Sequence, residues 1–243
     1  RGKRVIIFDA DFGLANVEIM FGAIPKFNLS DLIYREKSIT EIITPGPMDI
    51  GFISGGSGIT GINNLSKEQL KFLVANLEKL DELADVIIID TGAGISDNVL
   101  EFVMASPEIL LLVTPEPSSL TDAYSLLKAL HRNEEFQQAQ SRIKVISNRV
   151  VSEEEGAGIY EKLNAVVGQF LNGDLEYLGI IPKDAQLEKA VCQQKPVSIL
   201  YPDAKSSKAF EYLSAFLLDG VAAPVEEKKG IVQLLSRFIL QRN

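Results

Sequence analysis

Short runs of Val, Ile, Leu and Phe recur along the chain, separated by longer segments in which apolar residues return every three to four positions. The runs are RVIIFDA (Arg4 to Ala10), MDIGFIS (Met48 to Ser54), DVIIID (Asp85 to Asp90), EILLLVT (Glu108 to Thr114), IKVIS (Ile143 to Ser147) and YLGIIP (Tyr177 to Pro182). Branched residues in sequence without polar alternation predict strands buried on both faces. The helical period is clearest over Ser66 to Leu83, Ser119 to Arg132 and Ser207 to Asp219. Ser66 with Gln69 has the capping-box spacing, and Ser119 with Asp122 is a looser acidic version. Strand alternating with helix requires crossover connections, which are right-handed. The fold class is therefore α/β, a doubly wound and mostly parallel sheet with helices on both faces. VAAPVEE (Val221 to Glu227) has linker composition. The predicted organisation is one domain over residues 1–220, a linker over 221–227 and a terminal helix over 228–243.

Ligands of such sheets bind where strands end at their carboxyl termini, so the strand ends are the places to look for chemistry. The first run ends in Asp9 and Asp11, two apart on extended chain and so on one side of it. Two carboxylates that close repel each other unless a cation or a phosphate-binding group lies nearby. In a phosphate site, one of them can orient a water and the other can position Mg²⁺ or its water shell. The third run ends in Asp90 before a turn, TGAG, which has the arrangement of a Walker B aspartate holding Mg²⁺ through water. The simpler alternative is an aspartate that caps the following helix. ISGGSGITG (Ile53 to Gly61) offers consecutive amides for an anion nest, or else a flexible connection. The tripeptide G-K-[ST] of a phosphate loop occurs nowhere in the chain. SNRV (Ser147 to Val150) places Asn148 at a strand end, where its amide can both donate to and accept from a purine edge.

Composition narrows the classes. Of 243 residues, 46% are apolar and 23% charged, ordinary for a soluble globular chain. No apolar run is long enough to span a bilayer, and no signal peptide is expected, since the opening RGKRVIIF reaches Asp9 before an apolar core of one could form. Cys192 stands alone and is expected to be a small buried residue, consistent with a reducing compartment. His131, the only histidine, is expected near a helix end, and metal sites of the His/Cys kind are excluded. The net charge of −9 is uneven. From Lys228 onward there are four bases and no acid, while the other twenty Lys and Arg face all 33 Asp and Glu, a net of −13. So acidic a body argues against sequence-independent DNA binding. In the basic tail, KKGIVQLLSRFILQRN, Ile231, Val232, Leu234, Leu235, Phe238 and Ile239 fill one arc of a helical wheel. The linker before it and its lack of acids favour an interfacial membrane helix with Lys228 and Lys229 at the surface, against a terminal helix packed on its own domain.

Taken in order, FDADFGLANVEIMFG, IIIDTGAGIS, VTPEPSSLTDAYSLLKAL, SNRV and LGIIPKDAQLEKAV resemble the MinD/ParA class of P-loop ATPases over Arg1 to Leu218. GGSG, TGAGIS and PEPSSLTDAY are most similar to its flagellar-number regulators, the FlhG/YlxH/FleN type. The resemblance implies ATP or ADP with Mg²⁺ as cofactors. It also implies Asp11 aligning the attacking water, Asp9 in the same switch, and Asp90 holding the metal through water. Asn148, Arg149 and the turn from Pro182 to Asp184 would line the adenine. It further implies an ATP-dependent homodimer, cytoplasmic and peripheral on the inner face of the membrane, with an anionic membrane surface bound through Lys228, Lys229, Ile231, Leu234, Leu235, Phe238 and Ile239. Flagellar assembly proteins such as the SRP-type GTPase FlhF and C-ring components would be its partners. In that family the strand ending in Asp9 follows a first strand, a deviant Walker A loop (K-G-G-x-G-K-[ST]) and a helix. These are absent here, so the chain as given is expected to be inactive although the intact protein hydrolyses ATP. The alternatives are a ParA-like DNA-segregation ATPase, which needs a basic DNA-binding face, and a non-catalytic relative acting as an interaction module.

Overall fold

All six apolar runs form strands, and a short one that the pattern does not announce joins them. The computed structural model describes residues 2–11, 16–35, 37–56, 65–139 and 141–219, and the chain divides into two units, Arg1–Ala105 and a second beginning at Ser106.

The first unit holds β1 (Val5–Asp9), β2 (Thr44–Pro45), β3 (Gly51–Ile53) and β4 (Val86–Asp90) in the order β2-β3-β1-β4. β1 runs parallel to β3 and β4, and only the unannounced β2 is antiparallel. The register sets Asp9 directly beside Asp90, so both run out at the same end of the sheet. Its helices are α1 (Val17–Phe21), α2 (Leu29–Tyr34), α3 (Ile39–Ile42), α4 (Lys67–Leu77), α5 (Leu80–Leu83) and α6 (Asp97–Ala105). α2 and α3 are short and depend on reciprocal caps, Asn28 with Asp31 and Ser38 with Glu41. One face of the sheet carries the core. There Phe8 meets Phe102 at 5.8 Å between ring centroids, and Leu29, Leu32, Ile42, Ile53, Leu73 and Leu77 are buried around them.

The second unit holds β5 (Glu108–Val113), β6 (Arg142–Val150) and β7 (Glu176–Pro182), all parallel, in the order β5-β6-β7. Its helices are α7 (Pro117–His131), α8 (Glu134–Ala139), α9 (Glu153–Leu171), α10 (Ala185–Cys192), α11 (Val197–Leu200) and α12 (Lys205–Asp219). Leu213 of α12 packs with Ile146, Leu178 and Ile181 on one face. On the other face α9 lies so close that a Cβ at Gly156 would stand 2.4 Å from Ile180 Cγ2 and 2.9 Å from Tyr177 Oη. Only glycine permits that approach. The same glycine, with Gly158, weakens the helical signal of the longest helix in the unit.

Several expectations are corrected. The apolar runs are not all buried on both faces: Ile88 of β4 is 46% exposed and Leu112 of β5 is 51% exposed. Each of these strands ends the sheet of its own unit among the described residues, and one face of it is open. The helix expected over Ser66 to Leu83 breaks into α4 and α5, where buried Asn76 donates its amide to the Phe72 carbonyl at 2.9 Å and Lys79 N–H bonds the Asn76 carbonyl. Its start is as expected, with Ser66 and Gln69 capping each other. α7 begins before Ser119, with Pro117 in its first turn, and Ser119 Oγ accepts from Thr114 N–H instead of capping. Cys192 is exposed, because Ala190, two residues earlier, is the one turned into the core. His131 does end a helix, its Nδ1 2.8 Å from the Leu127 carbonyl. No described helix is long and apolar enough to cross a membrane.

Candidate functional site

The carboxyl ends of β1 and β4 bring three acids together. Asp9 is 1% exposed, and its carboxylate accepts N–H bonds from Asp11 at 3.2 Å, Asn16 at 2.9 Å and Val17 at 3.2 Å. The last two are N-terminal donors of α1, whose own N-cap, Asn16, makes no side-chain cap bond. Asp9 therefore caps α1 from the neighbouring strand and ties it to the Asp11 backbone. Across the ladder Ala10 N–H bonds the Asp90 carbonyl at 2.8 Å, and the Asp11 carboxylate lies against Gly92 in the turn after β4. A Cβ at Gly92 would stand 3.0 Å from Asp11 Oδ1, so the turn keeps a space that any side chain would fill.

This gathering has an electrostatic cost. Burial pushes the Asp9 carboxyl above the usual carboxylate range, opposed by its three amide donors. Asp90, whose outer surface is open to water, is also pushed up, first by partial desolvation and then by the charges of Asp9 and Asp11. Excess negative charge at one sheet end, with an open glycine turn beside it, suits a cation that arrives with its own ligand. Among the described residues no group of three or more His, Cys, Asp or Glu converges to hold a metal directly. The donor set thus fits Mg²⁺ held mainly through water, with Asp90 and Asp11 the carboxylates that would meet its water shell.

In the second unit the ends of β6 and β7 form a separate polar edge. Asn148 pairs with Ile181 and Val150 with Pro182, and the ladder shifts between them. Arg149 occupies that shift at φ 60°, a left-handed backbone that costs a non-glycine residue about 1 kcal/mol. Lys183 N–H then bonds the Val150 carbonyl at 2.8 Å, which fixes the turn from Pro182 to Asp184 beside Asn148 and Arg149. Glu116, at the start of α7, is held below the usual range by the Thr114 hydroxyl first, and then by its own amide and the charges of Arg149 and Lys183. Asp184 caps α10 through Gln186 N–H at 2.8 Å.

The structure thus brings Asp9, Asp11 and Asp90 together in one unit and Asn148, Arg149, Pro182 and Asp184 together in the other. Of the glycine segment, Ser54 to Gly56 is a buried corner and not an open nest. The Ser54 carbonyl accepts from Leu29 N–H, and Gly56 lies against the Asn28 side chain. Its remainder, and the tail residues Lys228, Lys229, Ile231, Leu234, Leu235, Phe238 and Ile239, lie outside the described residues. Sequence reading missed Glu116, in the motif PEPSS, where no periodicity marks it, and Ser206, which bonds the Asp184 carboxylate from the start of α12 and could have been found as a hydroxyl residue at a helix start.

The model of the CobQ/CobB/MinD/ParA nucleotide binding domain matches residues 1–197. The antiactivator FleN of Pseudomonas aeruginosa is 38% identical over 210 residues, 86% of this chain and 74% of that protein. The flagellum site-determining protein YlxH of Helicobacter pylori is 29% identical over 98% of this chain and 80% of its own length. Among solved structures, the septum site-determining protein MinD of Pyrococcus horikoshii, complexed with Mg-ADP, superposes with a TM-score of 0.69 at 21% identity, covering 92% of this chain and 88% of that one.

Proposed function

Because the chain belongs to the CobQ/CobB/MinD/ParA nucleotide-binding family, we propose that the intact protein is an ATP-hydrolysing regulator of flagellar number or placement. The observation that carries the chemistry is the convergence of Asp9, Asp11 and Asp90 beside the open Gly92 turn. The flagellar assignment is supported by the similarity to FleN and YlxH. Asp11, which caps no described helix, accepts a hydrogen bond from the attacking water and so aligns its lone pair. Asp9 holds the Asp11 amide and the start of α1, so the water-aligning group and that helix move together. Asp90 retains Mg²⁺ through water, and the ion when bound neutralises charge on the phosphates. In the second unit Asn148, Arg149 and the Pro182–Asp184 turn contact the base. No G-K-[ST] lies within the 243 residues, so these residues alone are proposed to bind ATP too weakly for turnover.

The tail from Lys228 to Asn243 is proposed to attach the protein to anionic membrane when ATP joins two copies. A body of net charge −13 with a basic amphipathic tail supports this over a DNA-segregation role. Flagellar assembly proteins are the expected partners of the nucleotide-bound dimer. The deciding experiment is Asp11→Ala in the intact protein. Phosphate release should be lost while ATP-dependent dimerisation, followed by gel filtration, persists. Release within about twofold of the parent would remove Asp11 from the reaction.

A further inference from the structure

Asp184 stands in the turn that the proposed function places against the adenine, yet both of its carboxylate oxygens accept hydrogen bonds from other parts of the chain. Oδ1 accepts Gln186 N–H at 2.8 Å, and Oδ2 accepts both Ser206 N–H at 3.0 Å and Ser206 Oγ–H at 2.9 Å. Ser206 is completely buried and lies in the first turn of α12, 22 residues further along the chain. One carboxylate therefore satisfies free N-terminal donors of two helices, α10 locally and α12 from a distance. The neighbouring residue of the turn is fixed independently, Lys183 N–H to the Val150 carbonyl, one position beyond the left-handed Arg149. α12 in turn is seated on β7, where Leu213 Cδ2 would be 3.2 Å from a Cβ at Gly179.

We infer that Asp184 is a positioning residue, not a nucleotide ligand: its carboxylate latches the Pro182–Asp184 turn to the buried Ser206 of α12 and so sets the height at which the turn meets the base. The inference rests on the nucleotide reading of that turn. A carboxylate carrying three donors has little capacity left for a ligand, and the donors hold it below the usual carboxylate range. The base would instead be met by the backbone of the turn and by Asn148, groups whose positions depend on the latch.

Asp184→Asn separates the two roles of the side chain. The amide oxygen still accepts Gln186 N–H, so the α10 cap survives, since Asn caps as well as Asp. The amide nitrogen then faces the Ser206 N–H, which it cannot accept, and the Ser206 hydroxyl must turn to accept from it, so the latch loses its backbone bond. Ser206→Ala removes only the hydroxyl, from the opposite partner and at a buried position. ATP and GTP affinities of the intact protein, measured well below each variant's melting temperature, report base discrimination, which a loss of stability alone does not move. Asp184→Asn is expected to lower the preference for ATP over GTP about tenfold and Ser206→Ala about threefold, with the double variant no worse than Asp184→Asn alone. A preference unchanged by Ser206→Ala, or effects that multiply in the double variant, would overturn the latch and return Asp184 to the role of direct ligand. Lowered melting temperatures with an unchanged ATP-to-GTP ratio in both variants would overturn it in favour of a purely structural cap. A parent protein that binds neither nucleotide would instead overturn the nucleotide reading on which the inference stands.

Discussion

Gly92 offers the cleanest separation of catalysis from stability in this fold. Its φ is not in the left-handed region, so alanine fits the backbone, and among the described residues the three heavy atoms nearest the added Cβ all belong to Asp11, with Oδ1 at 3.0 Å, Cγ at 3.1 Å and Oδ2 at 3.4 Å. Ordinary van der Waals contact begins near 3.4 Å, so the carboxylate must retreat by about 0.4 Å. The group displaced is the end of a flexible side chain. Its off-rotamer cost is about 0.5–1.5 kcal/mol, largely offset by the about 0.4–1 kcal/mol gained when Gly→Ala restricts the unfolded chain. Melting should therefore change by no more than about 3 °C. Turnover is more sensitive, since a misplacement of about 1 Å costs about 100-fold and about 0.4 Å on the same scale costs about sixfold. Single-turnover phosphate release by the Gly92→Ala protein should be slowed five- to tenfold, with ATP still bound. In an Asp11→Ala background the added methyl no longer meets a carboxylate, so Gly92→Ala should lower neither ATP affinity nor any remaining rate further. A Gly92→Ala protein that hydrolyses within about twofold of the parent would refute the placement of Asp11 at the reacting water.

Gly156→Ala should lower stability by about 1–3 kcal/mol in urea titrations, because the methyl would overlap Ile180 Cγ2 at 2.4 Å; an unchanged midpoint would mean that α9 does not approach the sheet so closely. The raised Asp90 carboxyl binds its proton more tightly folded than unfolded, so stability falls as pH rises from the ordinary carboxylate range through the folded value. Asp90→Asn should remove that part of the fall and raise the melting temperature at neutral pH while abolishing hydrolysis; a lower melting temperature would show that Asp90 stabilises the fold. In the tail, an arc of apolar residues buried only in part binds weakly, with Lys228 and Lys229 adding about 1 kcal/mol each near an anionic leaflet, and pairing of two tails raises avidity by about 10² to 10⁴. Intact protein should then sediment with anionic vesicles in ATP and much less in ADP, and Phe238→Glu should abolish binding; vesicle binding retained with a melting temperature several degrees lower would place the helix in the core.

The strands were legible because each is a local event: four to six branched residues decide it without reference to anything distant. What the strands do together was not. Asp9 and Asp11 could be marked as candidates from their spacing, and Asp90 from its place at a strand end, but the alignment of Asp9 with Asp90 is a register between segments far apart in the chain. The same distinction separates the two ends of the Asp184 carboxylate. Its bond to Gln186 is a local cap that any reader of IPKDAQ can expect, while its bonds to Ser206 exist only once α12 has docked on β7.

Two of the places where local rules and the fold disagree lie at the proposed sites. Asp9 is a buried acid with no basic partner among the described residues, and Arg149 holds a left-handed backbone at a strand end. Each costs stability that apolar packing elsewhere in its unit must offset. Gly156 breaks a helical pattern for a different reason, close packing on the sheet: the heavy atoms nearest an added Cβ are Ile180 Cγ2, Tyr177 Oη and Ser147 Cβ. A substitution that relieves an exception can therefore be read by its side effect. Removing the Asp90 charge should stabilise the protein and stop the reaction, whereas filling the space at Gly156 should destabilise the protein and leave the chemistry of the surviving folded molecules unchanged.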